Sequence, residues 1–205
     1  MDFTTALFSI LAIHLMASIS PGPDFVVVSQ RTLLQGRKAG ILCGVGVCVG
    51  LLIHISYSLA GLTTALEYSE FITQAIKVCG GSYLVFLGYK SIKSSFSKQT
   101  ETGGSEESKN AKKSAFWNGL IVNIFNPKAA IYFVSLFSII PTTSMKMENL
   151  LIIVTSIILV QMAWYLTFIF LVTSPSIRVK FDNKVYLIDR FLGAIMVFMG
   201  LYVIF

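Results

Sequence analysis

Charge is scarce in this sequence. Only 13% of its 205 residues are Asp, Glu, Lys or Arg, against roughly 25% in an ordinary soluble domain. With 55% of the residues hydrophobic and a mean hydropathy of +0.75, too few polar side chains remain to cover a water-facing shell. A bilayer removes that demand, because apolar side chains can face lipid. Cysteine is scarce as well. Cys43, Cys48 and Cys79 lie in apolar runs, their number is odd and no CxxC pair occurs. That excludes a disulfide framework and a zinc site and leaves three small buried hydrophobes. No cofactor or metal site is expected. The chain also lacks a basic stretch before its first apolar run. It opens with Met1 and Asp2, and Pro21 would directly follow a cut after Ser18-Ile19-Ser20. The first apolar run therefore reads as a retained helix rather than a cleaved signal. The net charge of +6 and pI of about 9.3 come from short loops, not from a folded basic face, which excludes nucleic acid as a partner.

What is abundant is apolar sequence in long runs. A spanning helix needs about 20 mostly apolar residues. Six stretches qualify, near 3–29, 39–62, 71–89, 116–140, 150–173 and 187–205. The expected fold is thus an all-α integral membrane protein with six transmembrane helices and lipid as its solvent. Arg31, Arg37 and Lys38 form one loop cluster. Lys90, Lys93, Lys98, Lys109, Lys112 and Lys113 form a second, and Arg178, Lys180, Lys184 and Arg190 a third. These three loops share one side and hold 13 of the 16 basic residues. Lys146 stands alone on the other side with Glu67, Glu70 and Glu148. Excess Lys and Arg marks the cytoplasmic face, so both termini are expected outside.

Residues 94–113 are Ser, Glu, Gly, Lys and Thr with almost no apolar residue, the composition of a flexible cytoplasmic linker. It divides the chain into residues 1–93 and 114–205, with three spans each. Gly81-Ser82-Tyr83-Leu84-Val85-Phe86-Leu87-Gly88 in the third span resembles Gly193-Ala194-Ile195-Met196-Val197-Phe198-Met199-Gly200 in the sixth, with both glycines in register. Three is odd, so the second copy enters from the opposite side. Two inverted three-helix repeats are the architecture of many secondary transporters.

The first and fourth spans are each interrupted by proline followed by a charge: Ser20-Pro21-Gly22-Pro23-Asp24 and Asn126-Pro127-Lys128. Proline removes a backbone donor and clashes with the preceding turn, and in hydrocarbon every freed carbonyl needs another partner. Paired breaks in matched halves are the best sequence pointer to a transporter site. Asp24 and Lys128 each cost roughly 2.5–3.5 kcal/mol to insert. Two readings remain open for them: a structural salt bridge, or two poles for a zwitterion, with Asp24 on the ammonium and Lys128 on the carboxylate. Asn123 and Asn126 share a helical face and are expected to line a polar path, and Ser18 and Ser20 to bond freed carbonyls. Asn118 reads as an interhelical hydrogen-bonding residue. His14 and His54 read as neutral packing residues rather than proton carriers. Gly40, Gly44, Gly46 and Gly50 are small-residue packing positions, within the subunit or at a homodimer. Trp117, Trp164 and Tyr165 need no role beyond interface and packing.

At these residues the sequence resembles the LysE/RhtB family of amino-acid exporters. The matching stretches are Ser20-Pro21-Gly22-Pro23-Asp24, Gly36-Arg37-Lys38-Ala39-Gly40, Gly80-Gly81-Ser82-Tyr83-Leu84 with Leu87-Gly88, Asn118-Gly119 with Asn123 and Asn126-Pro127-Lys128, and the helix Gly193 to Gly200. The resemblance implies a bacterial inner-membrane protein, not an enzyme, that exports amino acids such as threonine, homoserine, lysine or leucine by proton exchange. It carries a functional role over to Asp24, Asn126, Pro127 and Lys128. His14 and His54 match no motif of the family. Two alternatives compete on the residues. A metal-cation exporter needs clustered carboxylates or soft ligands, and Asp24 is the one acidic residue deep in a span. A membrane thiol-disulfide carrier needs cysteines in both halves, and all three lie in the first.

Overall fold

The computed structural model describes residues 3–60, 70–96, 105–139, 145–175 and 185–205. Among these, eight helices and no strand occur: α1 (Phe3–Ile19), α2 (Pro23–Gln35), α3 (Arg37–Leu59), α4 (Glu70–Ser94), α5 (Ser105–Ile124), α6 (Pro127–Ile139), α7 (Met147–Val172) and α8 (Val185–Ile204). Helices α3, α7 and α8 are each long and apolar enough to cross a bilayer. The pairs α1/α2 and α5/α6 meet the same standard together, bent by 61° and 56°. Three to five candidate spans thus stand where six were expected. Helix α4 is not among them. Thr73, Gln74, Lys77 and the Gly80-Gly81 pair dilute its apolar character.

The elements end where backbone chemistry requires. Helix α1 stops before Pro21, and α2 restarts with Gly22 as N-cap and Pro23 inside its first turn, where the missing N–H is an orphan in any case. Gly36 separates α2 from α3 at φ 83 and ψ −178, a region essentially reserved for glycine. Its N–H closes α2 on Thr32 O. The linker at 94–113 is helical from Ser105 onward, while its residues 97–104, and residues 176–184 of the third basic loop, lie outside those described. The Ser105–Lys113 stretch lacks apolar periodicity but is rich in Glu, Lys and Ala, strong helix formers in their own right.

Packing is inverted relative to a water-soluble protein. Phe8, Met16, Ile131, Leu159, Phe198 and Tyr202 are more than 60% exposed, the outward band that lipid accepts. His14, Gln30, His54, Asn118, Asn123, Asn126 and Gln161 are buried. Helix α7 shows the principle: Ile153, Ile157, Gln161, Tyr165 and Ile169 recur every four residues as its buried stripe.

Close helix approach is made by glycine. Helix α3 lies on α5, where a Cβ at Gly46 or Gly119 would strike the opposing backbone at Phe116 O or Cys43 O. The α3 glycines therefore serve packing within the chain. Helices α4 and α8 cross backbone to backbone: Gly81 faces Gly200 O and Gly88 faces Gly193 O, each pair reciprocally. Helix α7 packs on α1, and α3 contacts both α6 and α7.

Candidate functional site

The two proline breaks leave specific orphan groups. Pro21 has no N–H, so Ala17 O, four residues earlier, loses its helical donor. The Lys128 ammonium fills the gap, donating to Ala17 O at 3.2 Å and to Ser20 O at 2.7 Å. Pro127 orphans Asn123 O in the same way. His54 Nε2 donates to that carbonyl at 2.8 Å, beside the Asn126 N–H at 2.9 Å. Since a carbonyl only accepts, His54 carries its hydrogen on Nε2, and Nδ1 accepts from Tyr57 OH at 2.5 Å. Each break is thus capped by a side chain from the other part of the chain: residue 17 by residue 128, residue 123 by residue 54.

The breaks also meet one another. Asn126 caps α6 by accepting the Lys128 backbone N–H on Oδ1 at 3.0 Å, as expected of an N-cap. Its Nδ2 donates to Asp24 Oδ1 at 3.2 Å. Asp24 lies in the first turn of α2, where the partial positive charge of a helix start favours a carboxylate. Tyr165, fully buried on α7, donates its hydroxyl to Asp24 Oδ2 at 3.4 Å. Gly22 lets the two charges approach: a Cβ there would lie 3.0 Å from Asp24 Oδ1 and 3.5 Å from Lys128 Nζ. The carboxylate bonds Asn126 and Tyr165 while the ammonium bonds carbonyls, so each pole has its own partners.

A cleft of about 380 Å³, its open mouth included, runs between α1, α6 and α7. Ser20, Asp24, Asn126 and Lys128 line it at the breaks, and His14, Ser18 and Gln161 continue its wall. Four of the residues expected at the site, Asp24, Lys128, Asn126 and Ser20, are therefore brought together, with Pro21, Gly22, Pro23 and Pro127 shaping the breaks that carry them. Asn123 is not among the lining residues. It is fully buried, its amide N and O have no hydrogen-bond partner, and Oδ1 lies 2.6 Å from where a Gly50 Cβ would sit. The bend begins between Asn123 and Asn126, so the face they would share on a straight helix is broken.

Sequence reasoning gave no site role to Tyr165, Tyr132 or Gln161. Gln161 accepts from Ser18 Oγ at 2.8 Å, and Tyr132 OH lies 3.3 Å from His14 Nδ1. The available signal was a lone carboxamide in the middle of an apolar span. Asn118, as expected, bonds between helices: with its amide oriented to satisfy both ends, it donates to Ser114 O at 3.1 Å and to Tyr83 OH at 3.0 Å and accepts from Arg31. Among the described residues no three His, Cys, Asp or Glu side chains gather to hold a metal ion.

Two bent helix pairs that present opposite charges to a polar cleft, inside an apolar exterior, belong to a multi-pass membrane protein. The chain belongs to the LysE type translocator family, whose match runs over residues 15–205. It is 31% identical over 198 residues to a threonine efflux protein of Salmonella typhimurium, covering 96% of both chains. To the threonine efflux protein of Escherichia coli K12 it is 30% identical over 197 residues, again 96% of both. An uncharacterized membrane protein of Bacillus subtilis, YrhP, is 29% identical over 203 residues, 96% of this chain and 97% of that one. No solved structure matches the chain.

Proposed function

We propose that this protein exports amino acids across the bacterial inner membrane by alternating access, in exchange for protons, with the cleft between the two breaks as its substrate site. The observation that carries the reading is the convergence of Asp24 and Lys128 on Gly22 within one cleft. An ammonium has three donors and Lys128 uses two, which leaves one for a carboxylate. A carboxylate has about four acceptor sites, and Asp24 receives two donors, which leaves room for an ammonium. A free amino acid offers both ions on one carbon. The relatives known as threonine efflux proteins agree with that chemistry.

Two inverted repeats give the site its two-sided access. Several features support the pairing of α1/α2, α3 and α4 with α5/α6, α7 and α8. Both second arms are 13 residues long, and the bends are 61° and 56°. Helix α3 packs on α5 as α7 packs on α1. The sequence match of Gly81 with Gly193 and Gly88 with Gly200 maps each reciprocal contact of α4 and α8 onto the other. In this reading both termini face outward.

The test is an extracellular amino-acid profile of cells overexpressing the protein against null cells. Overexpression is expected to raise external threonine or a chemically close amino acid. Asp24→Asn and Lys128→Ala are expected to abolish the rise while the protein remains inserted. Unchanged export by both variants overturns the site.

A further inference from the structure

The charged end of the cleft accounts for the part that all amino acids share. Its other end is built for something more particular. Gln161 stands one turn before Tyr165 on α7, about 6 Å along the helix axis, and Tyr165 marks the level of Asp24. Ser18 and His14 stand at the matching end of the wall on α1. That separation is the reach of a short side chain.

The groups at this level are polar, buried and incompletely bonded. His14 is 2% exposed and its Nε2 has no hydrogen-bond partner. Tyr132 OH sits on the opposite ring nitrogen at 3.3 Å, so the ring position is fixed while Nε2 is left without a partner. Gln161 is 3% exposed. Its Oε1 lies 2.8 Å from the Ser18 hydroxyl, whose single proton also faces His14 O at 2.8 Å, so the amide is left incompletely bonded. Unpaired polar groups in an apolar interior are unfavourable, and a polar ligand group seated in the cleft would complete these. An apolar side chain seated here would leave them unpaired, whereas a hydroxyl can donate to one and accept from another. Sites built this way reject an analogue lacking the polar group far more strongly than they resolve a missing methylene. Phe133 and Tyr132 close the wall and favour a small group.

We infer that His14, Ser18 and Gln161 are the specificity-determining residues of the cleft, selecting substrates with a short hydroxyl-bearing side chain over their apolar isosteres. The inference rests on the cleft being the amino-acid site.

The experiment is counterflow of labelled L-threonine in proteoliposomes of the purified full chain, competed by unlabelled threonine, homoserine, valine or norvaline. Valine is threonine with its hydroxyl replaced by methyl, and norvaline stands in the same relation to homoserine. The wild type is expected to accept the two hydroxyl amino acids about tenfold or more better than the two isosteres. Gln161→Met and His14→Phe, checked for folding by size-exclusion profile, are expected to reduce that ratio about tenfold, and Ser18→Ala to reduce it less. Equal use of valine and threonine by the wild type overturns the inference without any variant. A ratio unchanged in folded, transporting variants overturns it too. If no amino acid moves at all in wild-type vesicles, the exporter reading fails with it, an outcome distinct from transport that is merely unselective.

Discussion

Lys128 and Asp24 look equivalent as lone membrane charges, yet their neighbours assign them different loads. The Lys128 ammonium closes two carbonyls that Pro21 and the end of α1 leave open. Asp24 receives two hydrogen bonds, of which an asparagine in its place could keep the one from Asn126 on its oxygen and reverse the other by donating to the Tyr165 oxygen. Bonds within a membrane average about 0.6 kcal/mol and reach about 1.7. Lys128→Met is therefore expected to lower stability by about 1–3 kcal/mol as well as stop export, whereas Asp24→Asn stops export with little change in the thermal midpoint in detergent. Equal midpoints for the two variants would refute that division. By the same reasoning, His54→Phe removes one donor from Asn123 O, which keeps the Asn126 N–H. A loss of about 0.6 kcal/mol is expected, with export per inserted molecule unchanged. Much of this was legible: proline followed by a charge pointed to Asp24, Asn126 and Lys128. What was not legible has physical causes. Asn123 shares a face with Asn126 only on a helix that does not bend between them. His54 and Tyr165 acquire their roles from a carbonyl and a carboxylate on distant segments, which no local spacing reveals.

At the level of elements, the breaks were readable because proline chemistry is local, and both fall where the sequence put them. The start of α5 was not, because Ser105–Lys113 has the polar composition of a linker and no apolar run. Its recovery brings Pro127 to a depth beyond the start of α5 comparable to that of Pro23 beyond the start of α1. Helices α4 and α8 meet along glycine. A side chain at Gly88 would press within 2.5 Å of Gly193 O and 2.8 Å of Val197 Cγ2, and overpacking of that kind typically costs about 1–3 kcal/mol. Gly88→Leu is accordingly expected to reduce the yield of monodisperse protein after detergent extraction. A yield equal to the wild type would show that the crossing is looser than its geometry.

For the described residues, buried polar groups point inward and large apolar ones outward, and the sequence predicts that the basic loops share one side. In a background with Cys43, Cys48 and Cys79 replaced, Lys93→Cys and Lys146→Cys report orientation, since both positions are exposed. A membrane-impermeant maleimide is expected to label position 146 in intact cells and position 93 only after permeabilisation. The reverse pattern would invert the topology and place both termini inside.

The exchange of caps between the two breaks bears on how the nascent chain is assembled. The ribosome delivers Ala17 and Ser20 to the membrane more than a hundred residues before Lys128 exists. Until that lysine arrives, the carbonyls it will hold have to be kept wet or sheltered by the insertion machinery. A polypeptide terminated ahead of α6 keeps them orphaned permanently, and degradation by membrane proteases is its expected fate even though its individual spans can insert.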